Sequence, residues 1–284
     1  MASHAGRLYL AFAGDDPNHG LIVTSTIDGA HWTVPAPVTP TLRVGSAPAL
    51  TEFDGALSIA FGSPDARRTP RIASSADGHH WTAPASVDCG LSGAGSAPAM
   101  LVHGERLYIA CAMNDAHGTL VVTSSADGCT WTAAIAHPDI RLGSAPALAT
   151  HLGRIYLAFA GTDPNRSLCI TSSADGTAWT TPVKGRARLR AGSSPAMAHV
   201  AGALAIAFAA DVPSGGLFVT SSADGMHWTV PAAGHAAAGV YGSPALHAPP
   251  ASIASVRAVT DHRPSSNAGR PGWVRRVRHA VIGL

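Results

Sequence analysis

The stretch SSADGHHWTAP, Ser74–Pro84, decides the reading of this chain because it returns. Close copies begin at Ser124 (SSADGCTWTAA), Ser172 (SSADGTAWTTP) and Ser221 (SSADGMHWTVP), and a looser one at Thr24 (TSTIDGAHWTVP). The aspartates of the five copies are Asp28, Asp77, Asp127, Asp175 and Asp224, spaced by 49, 50, 48 and 49 residues. A period near fifty residues falls in the range of propeller blades.

Two further segments recur in phase. GRLYLAF (6–12) is matched at 55–61, 105–111, 153–159 and 202–208. GSAPAL (45–50) is matched at 95–100, 143–148, 192–197 and 242–246. Each repeat therefore parses into four short strands: A (SAPAL), B (RLYLAF), C (LIVTSS) and D (WTVP). Strand B alternates its side chains with the period of two that a strand requires. The small residues of strand A suit the crowded centre of a ring, and its proline belongs on an edge. Gly and Pro interrupt every window long enough for a helix. Asp-Gly is a hairpin signal between C and D, with the glycine taking positive φ. The expectation is an all-β fold: a five-bladed β-propeller of four-stranded antiparallel blades over residues 1–247. Because the chain starts at strand B and reaches a sixth strand A at 242–246, that C-terminal strand is expected to close the first blade.

Residues 248–284 carry none of these features. They hold six arginines against one acid, a net +5, which leaves the preceding residues at −3. This tail reads as a disordered basic extension, with WVRRVRHAVIGL (273–284) able to lie on an anionic surface. The whole chain, at +2 with 13% charged and 46% apolar residues, has a core to bury and no mark of a nucleic-acid binder. Cys89, Cys111, Cys129 and Cys169 have no ligand spacing, and Cys111 stands where other repeats carry Phe, so it reads as a buried hydrophobe. No histidine spacing suggests a metal, and no cofactor is expected. With no charged n-region ahead of the first repeat and no apolar run of membrane-spanning length, the expectation is no transmembrane segment and cytoplasmic synthesis, export by another route staying open.

The repeated residues carry a family resemblance. Ser75, Asp77, Gly78 and Trp81, and their equivalents, resemble the motif of the Asp-box, or BNR-repeat, propellers, of which sialidases are the best-known members. That motif reads roughly Ser-x-Asp-x-Gly-x-x-Trp; here one residue is missing between Asp and Gly. The resemblance covers about residues 7–246 and marks the fold better than the activity. It implies that the five aspartates and Trp32, Trp81, Trp131, Trp179 and Trp228 are structural. It also places the site on the face opposite these turns, where the D–A and B–C loops lie.

Two features recur on that face. The B–C loops carry Asp16, Asp65, Asp115 and Asp163, with Asp211 one place off. The D–A junctions carry Arg43, Arg141 and Arg190, each leading to Gly-Ser at the channel mouth, and the corresponding serines are Ser46, Ser96, Ser144 and Ser193. Sialidases hold a carboxylate with three arginines, because guanidinium forks match its geometry; the alternative is that these arginines pair with neighbouring acids between blades. A sialidase also needs a Tyr nucleophile with a Glu, and an Asp acid/base. Only Glu52 and Glu105 are available, both in A–B turns on the wrong face. Tyr9, Tyr108 and Tyr156 share one packing position, and only Tyr241 lies at a D–A junction. The residues therefore favour a lectin-like propeller that binds glycans, including acidic ones, through these residues, Asn18, Asn114 and Asn165 without catalysis. A sialidase-type glycoside hydrolase and a protein-interaction scaffold are the alternatives.

Overall fold

The computed structural model describes residues 1–14, 19–91, 93–212, 216–235, 243–247 and 281–282. Among them the fold is all-β, with no helix, and five antiparallel four-stranded sheets form the blades of a propeller. Blade 1 holds β1 (Ala2–His4), β2 (Arg7–Ala13), β3 (Leu21–Thr26) and β4 (Ala36–Pro37). Blade 2 holds β5 (Ala49–Phe53), β6 (Ala56–Gly62), β7 (Pro70–Ser75) and β8 (Ala85–Ser86). Blade 3 holds β9 (Ala99–His103), β10 (Arg106–Ala112), β11 (Thr119–Ser125) and β12 (Ile135–Arg141). Blade 4 holds β13 (Ala147–His151), β14 (Arg154–Ala160), β15 (Ser167–Ser173) and β16 (Val183–Arg188). Blade 5 holds β17 (Ala196–Val200), β18 (Ala203–Ala209), β19 (Leu217–Ser222) and β20 (Ala232–His235). Two short strands follow, β21 (Ala245–Leu246) and β22 (Val281–Ile282), paired in parallel.

The closure differs from the sequence expectation. Blade 1 takes its innermost strand from its own N-terminal residues: Ala2 pairs with Tyr9 and His4 with Arg7. Met1 to His4 align with the strand A position of the other repeats, so residues 243–247 have no place left in blade 1. Strand D also starts later than WTVP. The threonine after each Trp uses its Oγ1 to accept the N–H of the facing strand C residue, at 2.9 Å for Thr82 on Ser74, and the residues that follow, often proline, delay the ladder to Ala85–Ser86 in blade 2.

The tight two-residue hairpins lie between strands A and B. Both central residues have positive φ in every blade, for example Asp54 (50°) and Gly55 (70°), or Leu152 (47°) and Gly153 (71°), as a type I′ turn requires. The Asp-Gly turns between C and D are wider loops organised by side chains. In blade 2 the Ser75 hydroxyl donates to Asp77 Oδ1 (3.1 Å) and accepts the Gly78 N–H (2.8 Å), while Asp77 Oδ1 accepts the N–H groups of His79 and His80 (2.8 Å each). The same bonds recur around Asp28, Asp127, Asp175 and Asp224. Hydrogen bonds from the following N–H groups, and from His31, His80 or His227 where present, hold these carboxyls below the usual range.

Adjacent blades are joined by side chains from strands A and B. Tyr9 of blade 1 donates its phenol to the Asp77 carbonyl of blade 2 (3.3 Å), Tyr108 to that of Asp175 (3.0 Å) and Tyr156 to that of Asp224 (3.5 Å). Beside them His4, His103 and His151 bond through Nε2 to the carbonyls of Ala76, Ala174 and Ala223. In blades 2 to 5 the Trp of the C–D turn packs against the blade before it: Trp81 joins the cluster of Tyr9, Leu21 and Val23, and Trp179 that of Tyr108 and Leu120. The leucine, isoleucine and phenylalanine of each strand B point the same way, as with Leu57, Ile59 and Phe61 of blade 2 against blade 1. The core is thus a series of inter-blade layers. Cys111 is buried in one of them, and burial pushes its thiol up to about 12.

Candidate functional site

Antiparallel order puts the A–B and C–D turns on one face and the B–C and D–A loops on the other. On the second face the loops surround a central cavity of about 720 Å³. Its rim is the repeated D–A junction: Gly45–Ala47, Gly95–Ala97, Gly143–Ala145 and Gly192–Ser194. The glycine permits close backbone approach. A Cβ at Gly95 would stand 2.5 Å from the Met113 carbonyl oxygen, and one at Gly143 equally close to that of Gly161.

The serines that follow have a structural task as well as a place on the wall. Ser46, Ser96 and Ser144 accept the N–H of Gly62, Ala112 and Ala160 at 2.9–3.0 Å, and each donates to the next residue's carbonyl. One acceptor lone pair stays available on each hydroxyl. Ser193 is buried and donates to the Arg190 carbonyl (2.8 Å).

The B–C loops bring two arginines to the cavity that the sequence pattern did not single out. Arg68 and Arg166 end equivalent loops of blades 2 and 4, each in the left-handed region (φ 50° and 48°), and both line the cavity with Asn114, Asp115, His117 and Thr162. Arg166 Nη2 reaches the Ser193 carbonyl at 3.5 Å, while its Nε is buried with no hydrogen-bond partner among the described residues. Arg43, Arg141 and Arg190 do not line this cavity. Arg43 pairs with Gly20 and Arg141 with Thr119 at the outer side of their B–C loops. In blade 4 the equivalent partner of Ser167 is Arg188. Arg190 instead takes the place of the junction glycine: its N–H meets the Ala209 carbonyl as that of Gly143 meets Ala160. The three arginines of the sequence pattern are therefore not structurally equivalent.

The loop aspartates turn back on their own loops. Asp65 accepts the N–H groups of Arg67 and Arg68 and the Ser63 hydroxyl (2.7 Å), and lines a smaller cleft of about 400 Å³ that shares Arg68 and Asn114 with the central cavity. Asp115 accepts the Thr119 hydroxyl (2.6 Å) and the N–H groups of Thr119 and His117, bonds that bring its carboxyl down to about 2. Asp163 accepts from Asn165 and Ser167, with Lys184 Nζ at 3.8 Å. Asp16, Asn18 and Tyr241, and residues 248–280 and 283–284 of the tail, lie outside the described residues. Glu52 stands on the opposite face against His4 (3.5 Å), and Glu105 sits in an A–B turn. No group of three or more His, Cys, Asp or Glu that could hold a metal ion occurs among the described residues. No helix among them is long and apolar enough to cross a membrane.

No protein-family model matches the sequence, and no curated protein matches it. Solved structures do match in fold. A Hadza microbial sialidase superposes with a TM-score of 0.62 at 15% identity, over 82% of this chain and 57% of that one. An α-L-arabinofuranosidase from Clostridium thermocellum gives 0.59 at 14%, over 82% and 92%. The six-bladed fungal lectin of Aleuria aurantia gives 0.59 at 15%, over 83% and 77%. The fold of this chain is the sialidase-like β-propeller.

Proposed function

We propose that this protein is a lectin-like propeller, built on shortened Asp boxes, that binds acidic glycans in the central cavity without performing chemistry on them. The observation that carries the reading is the cavity's composition. Two guanidinium groups, Arg68 and Arg166, one with a buried unpartnered Nε, stand over a rim of Gly-Ser backbone and hydroxyls. Guanidinium favours a carboxylate, and the rim supplies the neutral donors and acceptors that sugar hydroxyls need. The fold neighbours act on sugars or, in the lectin, recognise fucose, which agrees with this reading.

Against hydrolysis stands the carboxyl inventory. Retaining glycosidases need two suitably spaced groups, and among the described residues the aspartate on this cavity wall, Asp115, has both oxygens hydrogen-bonded to Thr119 and His117. Tyr9, Tyr108 and Tyr156 are committed to inter-blade bonds. The test is a glycan array probed with the full chain, the Arg68→Ala/Arg166→Ala variant and an Arg43→Ala/Arg141→Ala/Arg190→Ala variant. The expected result is binding to carboxylated glycans that the first variant loses and the second keeps, with weaker binding at high salt. Release of free sugar from a fluorogenic sialoside, or a blank array from folded protein, would overturn the proposal.

A further inference from the structure

The side of blade 1 that faces away from blade 2 is less covered than its counterparts in the other blades. In blades 2 to 5 strand B is buried along six of its seven residues. In blade 1 the last four, Leu10 to Ala13, are only half-buried. The face that Leu57, Ile59 and Phe61 press onto a preceding blade is represented in blade 1 by Leu8, Leu10 and Phe12. Among the described residues, those gathered around Leu8 are Met1, Leu10 and Trp32. On the other side, blade 5 offers Ala205, Ala207 and Leu217, and among the described residues Leu246 packs on this layer from beyond blade 5. Blade 5 also has Val200 and Ala205 where blades 1 and 4 carry the bonding His and Tyr.

Residues 243–247 stand between these two faces. The Ser243 hydroxyl accepts the Ser194 N–H (2.9 Å) from blade 5, and His247 Nε2 meets the Ser3 hydroxyl (2.8 Å) from blade 1. Residues 243–247 therefore bond to both blade 5 and blade 1, and blade 1 already holds an innermost strand of its own. An innermost strand needs a strand B beside it, because its outer edge otherwise presents open backbone groups.

We propose that β21 is the innermost strand of a sixth position in the ring, and that the chain's own C-terminal strand, β22, fills the strand B place beside it and closes the ring. Val281 and Ile282 pair in register with Ala245 and Leu246. They are β-branched, as a strand at this place favours. The pairing is parallel where every blade is antiparallel, and a parallel pair needs a crossover of a dozen residues or more; 34 residues separate Leu246 from Val281. On this account β22 is a built-in seal for an apolar seam.

The test is a disulfide. Ala245→Cys with Val281→Cys, in the full chain carrying Cys129→Ser to remove the exposed thiol, puts two thiols on facing Cα positions of one ladder, within bridging range. The expected result is a bridge within single chains, seen as one linked peptide pair from monomeric protein. A bridge found only between two chains would overturn the proposal and make the seam a contact between copies; failure to form a bridge in folded protein would overturn it too. A chain ending at His279 should bind more of a hydrophobic dye than the full chain and melt lower; equal dye binding and an equal melting point would contradict the seal.

Discussion

Gly176 and Gly128 occupy the same position of the C–D turn in blades 4 and 3, at φ 79° and 72°. An alanine at either place must hold a left-handed backbone, which costs about 1–2 kcal/mol. The surroundings then separate them. At Gly176 a Cβ would lie 2.6 Å from Cε1 and 3.0 Å from Cδ1 of Tyr108; at Gly128 the nearest atoms are ring carbons of Phe53 at 3.6 Å, an ordinary contact. Tyr108 cannot swing aside freely, because its ring is buried and its phenol donates to the Asp175 carbonyl at 3.0 Å. Overpacking at such a site adds about 1–3 kcal/mol. Gly176→Ala should therefore cost about 2–5 kcal/mol and Gly128→Ala about 1–2 kcal/mol, the added part being the collision with the inter-blade tyrosine. Equilibrium urea unfolding, followed by tryptophan fluorescence, measures both. On a Tyr108→Ala background the excess at Gly176 should vanish, a coupling expected of residues in contact. Equal costs at the two glycines, or an excess at Gly176 that survives removal of Tyr108, would refute the view that the turn glycine exists to receive the neighbouring blade.

Other consequences follow from the same contacts. Phe208→Ala, at a fully buried inter-blade position, should destabilise by about 3–5 kcal/mol in the same unfolding assay. His151→Ala strands the Ala223 carbonyl that its Nε2 meets at 2.8 Å and should cost about 1–3 kcal/mol in urea. The Asp28–His31, Asp77–His80 and Asp224–His227 pairs, each at 2.6 Å, give stability a pH dependence with two limbs. The carboxyls are lowered, so their contribution is complete at neutral pH and lost as pH falls through the folded-state carboxyl range. The imidazoles are raised, so theirs is complete below the ordinary histidine range and lost as pH rises through the raised values. A His31→Gln/His80→Gln/His227→Gln variant should lose urea resistance near about pH 6 and little near about pH 9, on either side of the histidine transition; an equal loss at both would count against the pairing.

The sequence by itself determined the repeat, the four strands of each blade and the face on which the loops gather. These follow from local rules: alternation fixes a strand, glycine marks a turn, and a period of about fifty residues fixes a blade. The Asp-Gly turns lie between strands C and D, where a serine and an aspartate bond to their own turn's backbone. What the tertiary structure decided depended on where separate blades meet. Strand D moved because the Trp-Thr segment bonds across to strand C before the ladder begins. Arg190 reads like Arg43 and Arg141 in one dimension but stands in a junction glycine's place, whereas Arg68 and Arg166 each follow a loop aspartate, Asp65 and Asp163, by three residues and end that loop in the left-handed region. Ring closure was decided the same way. Met1 to His4 and residues 243–247 both fit strand A, and only the packing of Leu246 on blade 5, with Tyr9 already paired to Ala2, shows that each has its own place. Local pattern specifies what a segment can be; the burial of one blade against the next decides which of two qualified segments sits where.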